Sequence, residues 1–127
     1  MRTVYIVDDS PPVRERLVGL ISELEGTALS GATGEPREAL EAIRRLHPDA
    51  VIIDIRMPAM NGIQLLKEIK QGFRPPVIIM LTNDPFEPYR RECTEAGADY
   101  FLNKSMEFGK ISDILAQIVR TDLRPAN

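Results

Sequence analysis

Two runs constrain this chain more than anything else in it. Ala50-Val51-Ile52-Ile53 and Val77-Ile78-Ile79-Met80-Leu81 contain no polar residue. A strand with one wet face alternates apolar and polar, whereas an uninterrupted apolar run bounded by turn signals is a strand covered on both faces, the usual state of a parallel sheet. The rest of the sequence supplies the helices that do the covering. After Val4-Tyr5-Ile6-Val7, Ser10 offers an N-cap and Pro11 a first helical position, and Val13, Leu17, Leu20, Ile21 and Leu24 follow at helical spacing until Gly26. A weaker strand, Ala28-Leu29-Ser30-Gly31-Ala32, leads to a helix opening near Pro36 with Leu40, Ile43 and Leu46 on its apolar face. Ile63, Leu66 and Ile69 mark a third helix that Gly72 ends, and Pro85 and Pro88 delay the start of a fourth. A last strand from Tyr100 to Asn103 runs to Lys104, and Phe108, Ile111, Ile114, Leu115 and Ile118 mark the closing helix. Strand and helix therefore alternate from end to end, which predicts an α/β fold with right-handed crossovers and a doubly wound parallel sheet. The folded unit is expected over 1–121, with 122–127 as a fraying C-terminal tail.

At 127 residues the chain has room for about one domain. Charged residues make up 28% of it, and no apolar stretch approaches the ~18 residues of a membrane span. A net charge of -3 and a pI near 5.2 argue against a nucleic-acid surface, where clustered Lys and Arg must displace counterions. Cys93 is the only cysteine, so no internal disulfide forms, and the N-terminus enters a strand without a signal-peptide pattern; a cytoplasmic location is expected. Cys93 shares a helical pattern with Tyr89 and Ala96 and reads as a structural thiol. His47, the only histidine, precedes Pro48 at a helix end and reads as a surface or capping residue; a Ser/His/Asp triad or His-based metal cluster lacks its further donors.

Sheets of this kind bind ligands beyond the carboxyl ends of their strands. Those ends carry Asp8 and Asp9, Asp54, Thr82 and Lys104, so distant residues collapse onto one edge. Carboxylates gathered there repel one another and call for a cation. Oxygen ligands with open water positions suit Mg²⁺, Lys104 is a point charge suited to phosphate, and Thr82 adds a hydroxyl. Together these are the minimum equipment for phosphoryl transfer, in which an aspartate can itself be the nucleophile.

Asp8-Asp9, Asp54-Ile55-Arg56-Met57-Pro58 with Gly62, Leu81-Thr82, and Ala96-Gly97-Ala98-Asp99-Tyr100-Phe101-Leu102-Asn103-Lys104 occur in that order. In this the chain resembles, over essentially its whole length, the receiver domain of bacterial two-component response regulators. The resemblance implies a flavodoxin-like five-stranded sheet in the order 2-1-3-4-5 with five helices. It also implies that Asp54 accepts a phosphoryl group from a sensor histidine kinase or a histidine phosphotransfer protein. Asp8, Asp9, Asp54 and the Arg56 backbone carbonyl would hold Mg²⁺, and Lys104 would contact the phosphoryl group. Thr82 would turn toward that group, letting Phe101 move inward and remodel the face of the fourth helix, fifth strand and fifth helix for a downstream protein or an output domain. Such a protein is a switch, not an enzyme with separate substrates, and acts as a monomer or a phosphorylation-dependent dimer. Tyr100 points to the opposite side of the strand. Since the sequence stops after the fifth helix, a single-domain regulator and a receiver excised from a longer protein are both open.

The chain departs from the family pattern at three places. The lysine is usually followed by proline, often through a cis bond, but here by Ser105; a cis bond before a non-proline residue costs roughly 3 kcal/mol, so Lys104-Ser105 is expected trans. Ser105 is then free to cap the last helix, with Glu107 in its first turn. Asn83 replaces a smaller residue and is expected to narrow access to the site. Arg56 and Asp84 are expected to approach as an exposed ion pair that screens the acyl phosphate from water. Rival readings are weaker. A phosphorylation-independent interaction module on the same fold has no need of the full set of polar strand ends. A flavin carrier needs amides and small hydroxyls where this chain has Asp8-Asp9-Ser10-Pro11-Pro12, and a metal-dependent hydrolase needs a further general base.

Overall fold

A computed structural model describes residues 1–57, 60–83 and 87–121, with the backbone alone at Glu87. The elements run β1 (Arg2–Val7), α1 (Pro11–Glu23), β2 (Thr27–Thr33), α2 (Pro36–Leu46), β3 (Ala50–Asp54), α3 (Gly62–Lys70), β4 (Val77–Thr82), α4 (Glu87–Glu95), β5 (Tyr100–Asn103) and α5 (Lys110–Arg120). The strands form one parallel sheet in the order β2-β1-β3-β4-β5, the flavodoxin-like arrangement expected. Strand order reverses between β1 and β3, which opens a crevice at their carboxyl ends.

Both apolar runs are central strands, and alternation sends their side chains into two separate cores. Tyr5, Val7, Val51, Ile53, Ile78, Met80 and Phe101 face α2, α3 and α4. Val4, Ile6, Ile52, Ile79, Leu81 and Leu102 face α1 and α5, where Leu17, Ile21, Ile111, Leu115 and Ile118 close the other layer. Burying each such aliphatic side chain contributes about 1.5–3 kcal/mol, so the two sheet faces hold the fold together. Tyr100 packs with the α1–α5 side and Phe101 with the other, as the pleat requires. Ser10 caps α1, its hydroxyl accepting from the Val13 N–H, with Pro11 and Pro12 following. His47 ends α2 in the left-handed conformation, φ 50°, and is exposed, in keeping with a capping role. Cys93 is fully buried, and burial together with Glu92 pushes its thiol up to about 11, so it stays protonated and inert.

Expectations at two helices need correction, and β2 carries an irregularity not anticipated from the sequence. Leu46 is 42% exposed, and the buried face of α2 is made by Ala39, Ala42 and Ile43. Register between β1 and β2 shifts after Val4, leaving Ser30 as an extra residue whose hydroxyl donates to the Val4 carbonyl; that bulge explains the strand's poor alternation. Ser105 does not cap α5. The helix starts later, behind Gly109, because Asn103 captures the backbone N–H groups of Ser105 and Met106. Glu107 and Phe108 therefore precede the helix, instead of Glu107 lying in its first turn and Phe108 on its apolar face. The Lys104–Ser105 bond is trans, as expected. Asp84, the proposed partner of Arg56, and the tail 122–127 lie outside the described residues.

Candidate functional site

Backbone hydrogen bonds continue the parallel ladder past the strand ends and bring the candidate residues level. The Asp8 N–H donates to the Thr33 carbonyl at 3.0 Å, Ile55 to Leu81 at 3.1 Å, and Lys104 to Thr82 at 2.8 Å. The loop after β3 folds back on the strand, where Gly62 donates to the Ile55 carbonyl at 2.7 Å. A Cβ at Gly62 would run into the Asp54 carbonyl oxygen, so only glycine lets α3 start this close to the site.

Asp8, Asp54, Thr82 and Lys104 are all buried, with relative exposures of 1%, 5%, 1% and 9%. The Lys104 ammonium lies 2.8 Å from Asp8 Oδ2 and 3.3 Å from Asp54 Oδ1. Asp8 Oδ1 accepts the Ser10 N–H at 2.9 Å, and Asp54 Oδ1 accepts the Arg56 N–H at 3.3 Å. Asp8 Oδ2 is buried and meets no partner in hydrogen-bond geometry; its approach to Lys104 is an ion pair off the hydrogen-bond angle. One carboxylate oxygen from each of Asp8, Asp9 and Asp54 lies within 4.8 Å of the others, close enough to hold one metal ion. Three carboxylates gathered around one ammonium, with a buried Asp8 oxygen outside hydrogen-bond geometry, are a set that fits a hard divalent cation.

Burial chiefly, and then the Asp8 charge, push the Asp54 carboxyl up to about 6, although Lys104 and the Arg56 amide pull the other way. For Lys104, burial opposes the charged form, but its contacts with Asp8 and Asp54 outweigh that and hold its pKa above the usual lysine range. One buried cation thus faces two buried anions, and the cluster is left with negative charge it has not neutralised. Asp9 is exposed, and with Ile55, Arg56, Met57, Asn61 and Tyr89 it lines a cleft of about 430 Å³ beside Asp54. Asn83 is exposed at the end of β4.

Phe101 is buried in the same core as Ile78, Met80 and Cys93, on the α2–α4 side of the sheet, and the Arg90 guanidinium of α4 lies 4.6 Å from its ring centroid. On the opposite layer Arg16 stacks on Phe108 at 3.8 Å. The sequence reading missed both pairings, and it missed Arg14, which donates to the Asp8 carbonyl at 2.7 Å and fixes the turn that carries the acidic pair. Only the position of Arg14, one turn into the helix that follows Asp8-Asp9, hints at its contact.

A sheet in this order with a buried acid–lysine cluster at its carboxyl edge defines the receiver class of two-component signalling proteins. The chain belongs to that family: the model of the response regulator receiver domain matches residues 4–116. It is 34% identical over 123 residues to a positive alginate biosynthesis regulatory protein of Pseudomonas aeruginosa, a match covering 96% of this chain and 47% of that protein. A protein-glutamate methylesterase/protein-glutamine glutaminase of Rhizobium etli is 42% identical over 79 residues, 62% of this chain and 22% of the relative. The chain thus spans less than half the length of these curated relatives. Among solved structures, the response regulator domain of Thermotoga maritima CheB superposes with a TM-score of 0.81 at 29% identity, over 94% of both chains. The CheX-CheY-BeF3-Mg complex of Borrelia burgdorferi gives 0.83 at 26% identity, over 92% of this chain and 88% of that one. The chain is a response regulator receiver, a signalling switch. Among the described residues no helix is long and apolar enough to cross a membrane.

Proposed function

We propose that Asp54 accepts a phosphoryl group from a phosphohistidine on a sensor histidine kinase or phosphotransfer protein. The observation that carries this reading is the excess negative charge of the cluster: among the described residues, the buried Asp54 and Asp8 carboxylates share one lysine. An Asp54 oxygen attacks phosphorus, the P–N bond breaks, and the imidazole nitrogen of the donor leaves with the electron pair and is protonated. Lys104 approaches the incoming phosphoryl oxygens with a fixed positive charge, and the Thr82 hydroxyl donates to one of them. Asp8, Asp9, Asp54 and the Arg56 backbone carbonyl form the seat for Mg²⁺, which supplies charge neutralisation when bound. Phe101 is the relay to the surface formed by α4, β5 and α5, which binds a downstream protein or an output domain. The working unit on this reading is 1–121, operating in the cytoplasm.

The test is intact mass after incubation with Mg²⁺ and a small acyl phosphate donor. The wild type gains one phosphoryl group and Asp54→Asn gains none. An interaction module independent of phosphate would give no adduct on either.

A further inference from the structure

Lys104 must hold its ammonium between two carboxylates, yet it is followed by Ser105, which leaves the chain far freer than a proline would. Its backbone is fixed instead by a closed ring of hydrogen bonds spanning the next residues. The Asn103 N–H donates to Glu107 Oε1 at 3.0 Å, and the Glu107 N–H returns to the Asn103 carbonyl at 2.9 Å. Inside that ring the Asn103 side-chain oxygen accepts from Ser105 at 2.8 Å and from Met106 at 3.0 Å. Lys104 itself is tied outward to the Thr82 carbonyl. The reciprocal pair has the logic of a capping box, with two backbone donors satisfied by partners that hold each other. On its outer side Glu107 Oε2 meets Lys110 at 2.8 Å.

We infer that Glu107 is a positioning residue for Lys104: with Asn103 it brackets the loop and sets where the lysine ammonium meets the phosphoryl group. This inference rests on the phosphoacceptor reading of the site, because only there does the position of Lys104 govern a rate. Glu107 touches neither Asp54 nor any incoming group. Its contribution is geometric and is carried by an acceptor oxygen, so the amide of glutamine serves nearly as well as the carboxylate, whereas alanine opens the ring.

The experiment compares wild type, Glu107→Ala, Glu107→Gln and Lys110→Ala with Mg²⁺ and a small acyl phosphate, following adduct formation by intact mass. The same proteins are examined for amide exchange at Asn103, Ser105 and Met106 and for the ¹⁵N resonance of the Lys104 ammonium. Glu107→Ala should label about tenfold more slowly, the scale expected when a charged group is displaced by a fraction of an ångström. It should also lose protection at those amides and shift the Lys104 resonance. Glu107→Gln should stay within about threefold of wild type, since a neutral acceptor weakens the bond without removing it, and Lys110→Ala should match wild type. The inference is overturned if Glu107→Ala keeps wild-type protection and resonance, or if Glu107→Gln is as slow as Glu107→Ala, which would make charge and not the bracket the cause. If wild type takes no phosphoryl group at all, the functional reading fails, and exchange and the Lys104 resonance still decide whether the bracket positions the lysine.

Discussion

Asp54 and Asp99 are the same side chain at opposite ends of one sheet, and their surroundings are inverted. At the amino end, Asp99 Oδ2 accepts the Ile78 N–H at 2.8 Å and pairs with Lys70 at 3.0 Å. Asp49 repeats the arrangement, accepting the Thr3 N–H at 2.8 Å and facing Arg2 at 3.8 Å. Each is a carboxylate that accepts a strand-start amide and faces a basic side chain. At the carboxyl end, Asp54 and Asp8 divide a single lysine, and the Asp54 carboxyl is pushed up to about 6 by burial and by its neighbour. Carboxylates matched to a basic side chain bind the sheet together; the two that share one lysine are available for a further cation and for chemistry. The difference lies in the balance of partners and not in residue type.

Three substitutions sharpen that contrast, taken from the largest effect down. Asp99→Ala strands the Ile78 amide and leaves Lys70 without its acid, so it should cost about 2 kcal/mol in urea unfolding while leaving phosphoryl acceptance unchanged. Loss of labelling in a folded Asp99→Ala protein would break the division between the two ends. Asp54→Asn should do the opposite, stabilising the metal-free protein near pH 7.5 by about 1–2 kcal/mol, because it removes a repelled buried charge. The sign follows from linkage: the folded state holds the Asp54 proton more tightly than the unfolded chain does. The stability this gives is complete below about pH 4, the unfolded carboxyl range, and is lost as pH rises through the folded value of about 6. The gap between variant and wild type should therefore open from about pH 4 to 6 in EDTA and narrow when Mg²⁺ is restored. A gap independent of pH would remove charge repulsion as its cause. Arg90→Met keeps the alkyl stem but takes the cation from the Phe101 ring, an effect of about 0.5–1 kcal/mol. It should appear as faster amide exchange in β5, and unaltered exchange would mean the stacked guanidinium does not restrain the aromatic.

The sheet and the acid–lysine cluster were legible in the sequence because parallel strands between helices leave their polar residues at one edge. Asp8, Asp54 and Thr82 each follow an apolar run directly, and Lys104 follows Tyr100-Phe101-Leu102 after Asn103; topology does the rest. What was not legible involves competition for hydrogen bonds or contacts between elements. Ser105 has the chemistry of a helix cap, but Asn103 already holds the amides that would begin such a helix, so α5 starts behind Gly109. The β2 bulge is hidden because Ala28, Ser30 and Ala32 carry little signal about which face is buried. Arg90 meeting Phe101, and Arg16 meeting Phe108, join residues whose spacing along the chain has no period to betray them. No structural role for Asp49 or Asp99 was drawn from the sequence, because the strand amides they accept lie on other elements.

The central claim is that the uncompensated carboxylate at the end of β3, and no other, receives the phosphoryl group. Reductive trapping of the acyl phosphate with borohydride, followed by peptide mapping, reads the modified residue directly. The account predicts that the trapped product lies at Asp54 alone and disappears in Asp54→Asn. A trapped product at Asp8 or Asp9 in the wild type, or one that survives Asp54→Asn, would contradict it.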